Sequence, residues 1–533
     1  MISEIRPVRI PRDRAVRVAA GAVAAAAVVF VLLIAPSNHA QYGSSVAPAP
    51  GLRSHASRAG QPFQAEVTIR SQERLTEIPR SFLGLSTEYW TLPVAERYVA
   101  LDGRVLSLLH VPGDGPFVLR IGGDSSDHTF YDPGIRRLPR WVFGLTPAFV
   151  WRTAMMVREL RLRTILDLNL VTATPRLAGA WARHAMAAMP RGSIIGFEIG
   201  NEPDLYRRSN WSFAATAHRF GARVLPRDVT AGAYARAFSS YARVLSRIAP
   251  HVPLLGPALS HPYADLSWIS TLLAGPHPGL GEITAHRYPY SACASPHSPA
   301  YPTIDRVLSE KASAGLAQSV RPAVRLAHQA GLPFRLTEFN SVTCGGVAGV
   351  SNTFATALWA PDTAFELIRA GVQGIYLHAR QYAINDPFTF DARGLRARPL
   401  LYGLILFART LGPDSQLVPV QCQENRSSHL KAWAVEVSQD TLHVLLLDKG
   451  PTSLSISLNL PATSNATVQR LLAPSPTSRS GVTLGGQHLD SNGRWVGKPL
   501  HGMVTPRAHR YSVALPRFRA ALITVPIAPG SLG

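Results

Sequence analysis

Lysine is almost missing from this chain: only four of its 54 basic residues (Lys311, Lys431, Lys449 and Lys498) are lysine, the rest being arginine. Acidic residues number 33, which leaves a formal charge of +21. That excess lacks the form a nucleic-acid groove needs. The arginines are scattered, and no basic block carries interleaved aromatics, so no nucleic-acid partner is expected. A positive field of this size still favours anionic substrates or acidic surfaces. Cysteine is scarce as well. Cys293, Cys344 and Cys422 make neither a disulfide framework nor a zinc pattern. No glycine-rich phosphate turn follows the first strand candidate, which sets aside a dinucleotide-binding open sheet. No internal repeat occurs.

What is present describes a globular chain with a targeting region in front. The 533 residues are 46 % hydrophobic, enough to bury a large core over several domains. Arg6, Arg9, Arg12, Arg14 and Arg17 precede an uncharged stretch from Val18 to Pro36. Its 19 residues match the ~20 that span a bilayer. Basic residues before it, and a Ser/Gly/Pro/Ala-rich linker after it, give an N-in, C-out orientation. Residues 1–36 are therefore expected to be an uncleaved membrane anchor or a secretory signal, and 37–60 a flexible linker. Either way the body is expected outside the cytoplasm, anchored to the membrane or secreted.

From residue 81 a rhythm begins. Short, nearly continuous apolar runs alternate with helical patterns, as strands buried on both faces should. The strand candidates are Leu83–Tyr89, Phe117–Gly122, Thr164–Leu170, Ile194–Gly200, Pro253–Ala258, Glu282–Tyr288, Pro333–Phe339 and Gly374–Ala379. Helical spacing marks Thr146–Leu162, Ala231–Ala249, Pro361–Ala370 (proline at the first position, Gly371 after the last) and Pro399–Leu411. This predicts a (β/α)8 barrel, the TIM-barrel class of α/β fold, over residues 81–411. Residues 412–533 change to short alternating runs between turn residues and predict an all-β sandwich. The strand-like Gln64–Arg70, within 61–80, is expected to join that sandwich.

Two glutamates carry the chemical signal. The run Ile194-Ile195-Gly196-Phe197-Glu198-Ile199-Gly200-Asn201-Glu202-Pro203 takes a buried strand, the fourth, into a tight turn with Glu202 just past its end. Barrel active sites form at that rim, and a carboxyl kept protonated there can serve as general acid. Glu338 ends strand seven between apolar neighbours, where a carboxyl is costly unless paired or functional. Strands four and seven face each other across the barrel mouth. Their two carboxyls can therefore flank one glycosidic bond, the arrangement of a retaining glycosidase. Cys293 and Cys344 follow strands six and seven. These loops are neighbours, so the two either bridge or remain two thiols. Cys422, near the start of the sandwich, is expected to be buried and inert.

Several stretches resemble glycoside hydrolase family 79, the β-glucuronidase and heparanase group within the clan of (β/α)8 retaining hydrolases. They are Phe82-Leu83-Gly84-Leu85-Ser86-Thr87-Glu88, Leu119-Arg120-Ile121-Gly122-Gly123-Asp124, Gly200-Asn201-Glu202-Pro203, Thr284-Ala285-His286-Arg287-Tyr288 and Thr337-Glu338-Phe339-Asn340. The resemblance covers about residues 62 to 530. It implies Glu202 as acid/base and Glu338 as nucleophile, with no metal or organic cofactor. Asn201 would bond the sugar 2-hydroxyl, Glu88 other hydroxyls, and Gly123 and Asp124 would line the pocket. Tyr288 would hydrogen-bond the nucleophile, and Arg120 would be structural. Tyr382 in His378-Ala379-Arg380-Gln381-Tyr382 would receive a uronate carboxylate, and Arg380, which stands where the family has a small residue, could supply charge. The expected function is retaining, β-glucuronidase-like hydrolysis of a glycan or glycoside. The alternatives are a retaining hydrolase of neutral glycosides from the same clan and a non-catalytic carbohydrate-binding surface protein.

Overall fold

The structure, a computed structural model, describes residues 63–70, 73–131, 142–206, 229–424, 429–460 and 464–527. The expected anchor and linker, and most of the stretch between Asp204 and Thr230, lie outside the described residues. Among the described residues no helix is long and apolar enough to cross a membrane.

Eight parallel strands close a barrel in chain order: Leu83–Glu88, Val118–Gly122, Arg163–Leu168, Ile194–Ile199, Leu254–Leu259, Leu280–Arg287, Phe334–Phe339 and Ile375–His378. They are the eight strands expected, each shifted by a few residues at most. The apolar runs explain this. A barrel strand is covered by helices outside and by other strands' side chains inside, so both faces want apolar residues. Leu254–Leu259 is buried at every position. Glu88, Asp167, Glu198, His286, Glu338 and His378 sit at or next to the C-terminal ends of their strands, and there they form the site.

One helix differs from expectation. It opens at Phe354, not at Pro361, and runs to Arg369 with Pro361 inside it. Proline in a helix interior normally costs about 3 kcal/mol, because it removes a hydrogen bond to the carbonyl four residues back. Here burial outweighs that cost. Every residue from Phe354 to Ile368 is buried. The helix Pro399–Thr410 crosses just where the bond is missing: a Cβ on Gly403 would lie 2.3 Å from the carbonyl oxygen of Ala357. Close packing has replaced local propensity.

The second layer system is a β-sandwich. One sheet has the order Val420–Glu424, Phe63–Ile69, Leu454–Asn459, Arg510–Leu515, so the strand before the barrel pairs parallel to Leu454–Asn459. The facing sheet is built mainly from Leu430–Ser438, Thr441–Asp448, Arg519–Pro526 and Ala466–Leu472. Val67, Ile456 and Val513 pack between the sheets against Val444, Val468 and Ile523. Cys422 corrects an expectation: it is exposed. It lies on the edge strand Val420–Glu424, where Gln421 and Gln423 are exposed too. The outer face of the other sheet packs on the barrel, with Trp433 stacked on Phe365 at 5.3 Å. The buried Lys449 Nζ meets Asp362 Oδ2 at 2.7 Å across the same boundary.

Candidate active site

The carboxyl ends of the barrel strands open into a cavity of about 950 Å³, whose lining includes Glu88, Asp124, Glu202, Tyr288, Glu338 and His378. Glu202 reaches it from a strained turn. Its backbone is left-handed, with φ 50° and ψ 52°, and its N–H donates to the Ala258 carbonyl at 3.0 Å. A non-glycine residue in that conformation costs about 1–3 kcal/mol and persists only where its surroundings demand it. Glu338 needs no such device, being the penultimate residue of strand seven. A bulge between Ala285 and His286 sets His286 opposite Glu338 on the neighbouring strand, and bulges of this kind re-aim side chains beside active sites.

The two glutamates meet at His286. Its Nδ1 lies 2.9 Å from Glu202 Oε1 and 3.8 Å from Glu338 Oε2. One carboxylate oxygen from each glutamate and the imidazole nitrogen all fall within 4.8 Å of one another. Arg120 holds Glu338 from below. It is fully buried and makes contacts of 2.8 Å with Glu198, 3.0 Å with Asp167, 3.2 Å with Glu338 and 3.0 Å with Asn201 Oδ1. The last contact orients the Asn201 amide, leaving its N–H groups as donors. Tyr288 Oη donates to Glu338 Oε1 at 2.5 Å, and His378 Nδ1 lies 3.0 Å from Glu338 Oε2.

These surroundings drive the two carboxyls apart. Burial raises Glu202 well above the usual carboxylate range, and the charges of Glu338 and Asp124 raise it further. Burial works on Glu338 in the same direction, but His378, His286 and Arg120 outweigh it and hold Glu338 well below that range. Burial also lowers His286 to about 4. His286 is then neutral near neutral pH, which leaves His378 and Arg120 as the cations that keep Glu338 ionised. One carboxyl protonated beside one ionised is the division of labour that acid and nucleophile require.

Of the residues singled out from the sequence, Glu202, Glu338, Asn201, Glu88, Asp124 and Tyr288 come together. Glu88 is buried, accepts from the Ser125 N–H at 2.8 Å, and is raised to about 7 by burial and by Asp124. Gly123 serves differently from expectation. It does not line the cavity; it makes room, since at φ 71° its Cβ would sit 2.6 Å from Glu88 Oε1. Tyr382 is a correction. Its backbone turns at φ 73°, its side chain is 69 % exposed, and it does not line the cavity, whereas Arg380 does. Cys293 and Cys344 are bonded, with Cα atoms 5.9 Å apart, and both line the cavity.

His286 and His378 were missed, yet each carried a signal. His286 is two residues before Tyr288, hence on the same face of its strand, and His378 ends strand eight as Glu88 ends strand one. Glu198 was visible as a second carboxyl inside the apolar fourth strand. A divalent cation could in principle bridge Glu202, His286 and Glu338 by spacing. The Arg120 and His378 cations beside Glu338 make that donor set unfavourable for one.

No protein-family model matches the chain. It is 22 % identical over 442 residues to a β-glucuronidase from Aspergillus niger, an overlap of 71 % of this chain and 76 % of the relative. The chain resembles a β-glucuronidase. Among solved structures it superposes on a 4-O-α-L-rhamnosyl-β-D-glucuronidase from Fusarium oxysporum 12S, solved as a Rha-GlcA complex, with TM-score 0.69 and 17 % identity. That match covers 86 % of this chain and 100 % of the other. A family 51 α-L-arabinofuranosidase from Bifidobacterium longum gives TM-score 0.63 and 14 % identity over 87 % of this chain and 100 % of its own. At such identities these structures establish a shared fold, a barrel with an attached β domain, and the β-glucuronidase likeness rests on the sequence match.

Proposed function

We propose that the chain is a retaining glycoside hydrolase of β-glucuronidase type. The observation that carries the reading is the approach of Glu202 and Glu338 to within 4.8 Å, carboxylate oxygen to oxygen. Retaining enzymes hold their carboxyls roughly 5–5.5 Å apart, whereas inverting ones need roughly 6.5–9.5 Å to admit a water between acid and sugar. In the first step a Glu338 oxygen bonds to the anomeric carbon, the glycosidic C–O bond breaks, and the Glu202 proton goes to the leaving oxygen. In the second, Glu202 takes a proton from water, whose oxygen displaces Glu338. Asn201, oriented by Arg120, and Glu88 hold ring hydroxyls. Tyr288 and His378 steady the charge on Glu338 as it is spent and restored.

Glu202→Gln tests the acid role. Turnover of glycosides with poor alkyl leaving groups should fall about 10²–10⁴-fold, while activated nitrophenyl glycosides suffer far less in the first step. The pH profile should change as well. Glu202 must be protonated, so activity is lost as pH rises through its raised pKa; glutamine has no proton to lose, and the basic limb should flatten. Equal losses on both leaving groups with an unaltered basic limb would reject the assignment.

A second reading, hydrolysis of neutral glycosides, is favoured by the arabinofuranosidase folds among the structural neighbours. Turnover of neutral sugars and not of a glucuronide, in a panel of nitrophenyl glycosides, would establish it. The Cys293–Cys344 disulfide supports an extracytoplasmic location, since such bonds persist in oxidising compartments.

A further inference from the structure

The cavity sets an electrostatic problem for an acidic substrate. Glu88, Asp124, Glu202 and Glu338 all line it, and even with Glu202 protonated a uronate brought among them meets the negative charge of Glu338 unless a cation stands ready. Five residues of the lining can carry positive charge: His261, Arg287, Lys311, His378 and Arg380. Three of them are engaged and one is exposed. His378 is held by Glu338 at 3.0 Å, and His261 lies 3.5 Å from Asp204. Arg287 donates to Ser319 Oγ at 2.9 Å and lies over the Tyr263 ring at 4.6 Å. Lys311 is exposed. Arg380 makes no ion pair with any carboxylate among the described residues, although it is half-buried and its charge acts on both Asp124 and His378.

Its place is built. Gly345 follows the disulfide-bonded Cys344 and has φ 78°, and a Cβ on it would lie 3.1 Å from Arg380 Nη2. The guanidinium thus packs over a position that only glycine leaves open. The same Gly345 carbonyl accepts from the N–H groups of Ile384 at 2.8 Å and Asn385 at 3.2 Å. The turn bearing Arg380 is thereby hung on the loop that the disulfide fixes. A planar fork carried on a tethered turn suits a carboxylate, which it can hold by two parallel hydrogen bonds.

We infer that Arg380 is the group that receives the substrate's carboxylate and so selects a uronoside over the corresponding neutral sugar. This rests on the hydrolase reading above and deepens it, replacing Tyr382 in that role. The decisive experiment compares nitrophenyl β-glucuronide with nitrophenyl β-glucoside, which differ only in carboxylate against hydroxymethyl, on the purified full chain and on Arg380→Gln and Arg380→Lys. The glucuronide-to-glucoside ratio of kcat/KM should fall about 100-fold in the glutamine variant, with part of it regained by lysine. A ratio unmoved in Arg380→Gln, whether both activities persist or both fall together, overturns the inference. Calorimetric binding of free glucuronate against free glucose separates this from the parent reading. If the wild-type chain cleaves neither glycoside, hydrolysis fails on its own account. Arg380 is then still judged by whether a preference for glucuronate exists and vanishes in the glutamine variant.

Discussion

Replacing Glu338 by alanine should lower kcat on a nitrophenyl glycoside by about 10⁵-fold, on the scale of removing the nucleophile from other covalent enzymes. The loss should be repairable in a particular way. Alanine leaves a space at the anomeric carbon, and azide can enter it and displace the leaving group itself. The product is a glycosyl azide of inverted configuration, since a single displacement has replaced two. Rescue by azide together with inversion distinguishes a lost nucleophile from a collapsed site. Turnover near that of the wild-type chain would remove Glu338 from the mechanism.

Arg120→Met should be the most damaging change outside the two glutamates. The guanidinium is fully buried among Asp167, Glu198 and Glu338, at 3.0, 2.7 and 3.2 Å. Removing one partner of a buried ion pair leaves charge unpaired and costs about 3–5 kcal/mol, which urea unfolding would register. A functional shift should accompany it. Arg120 helps hold the Glu338 pKa down. Without it that pKa rises, and because Glu338 must be ionised to attack, activity should be lost at a higher pH as the solution is acidified. A variant of unchanged stability and unchanged acidic limb would show that the cluster does not act as described.

Much of this was legible from the residues, for physical reasons that differ by layer. The barrel strands were readable because burial on two faces leaves an unbroken apolar run. The strand before the barrel was readable by its alternation, although its parallel partner Leu454–Asn459 lies far along the chain. The buried helix Phe354–Arg369 was misread at its start because proline is a reliable signal for solvent-facing helices and a poor one where packing dominates. Cys422 was misjudged because composition cannot tell an edge strand from a central one.

At the site, Glu202 and Glu338 announced themselves as carboxyls at the ends of apolar strands. Of the residues that tune them, Tyr288 and Arg120 were named with the family resemblance, whereas His286 and His378 were not. The spacing of His286 from Tyr288 hinted at its face, but its place opposite Glu338 depends on a bulge. Arg120 gathers Asp167, Glu198 and Glu338 from three other strands, which only barrel closure brings together. Tyr382 and Arg380 were separable only by knowing which way each side chain leaves its turn.

The central claim is that Glu202 and Glu338 act from opposite sides of one anomeric carbon in two successive displacements. Proton NMR of the first product released from a β-glucuronide tests it most directly. The β-anomer should appear first and equilibrate slowly to the mixture with the α-anomer. Initial release of the α-anomer would mean a single displacement by water and would contradict the account.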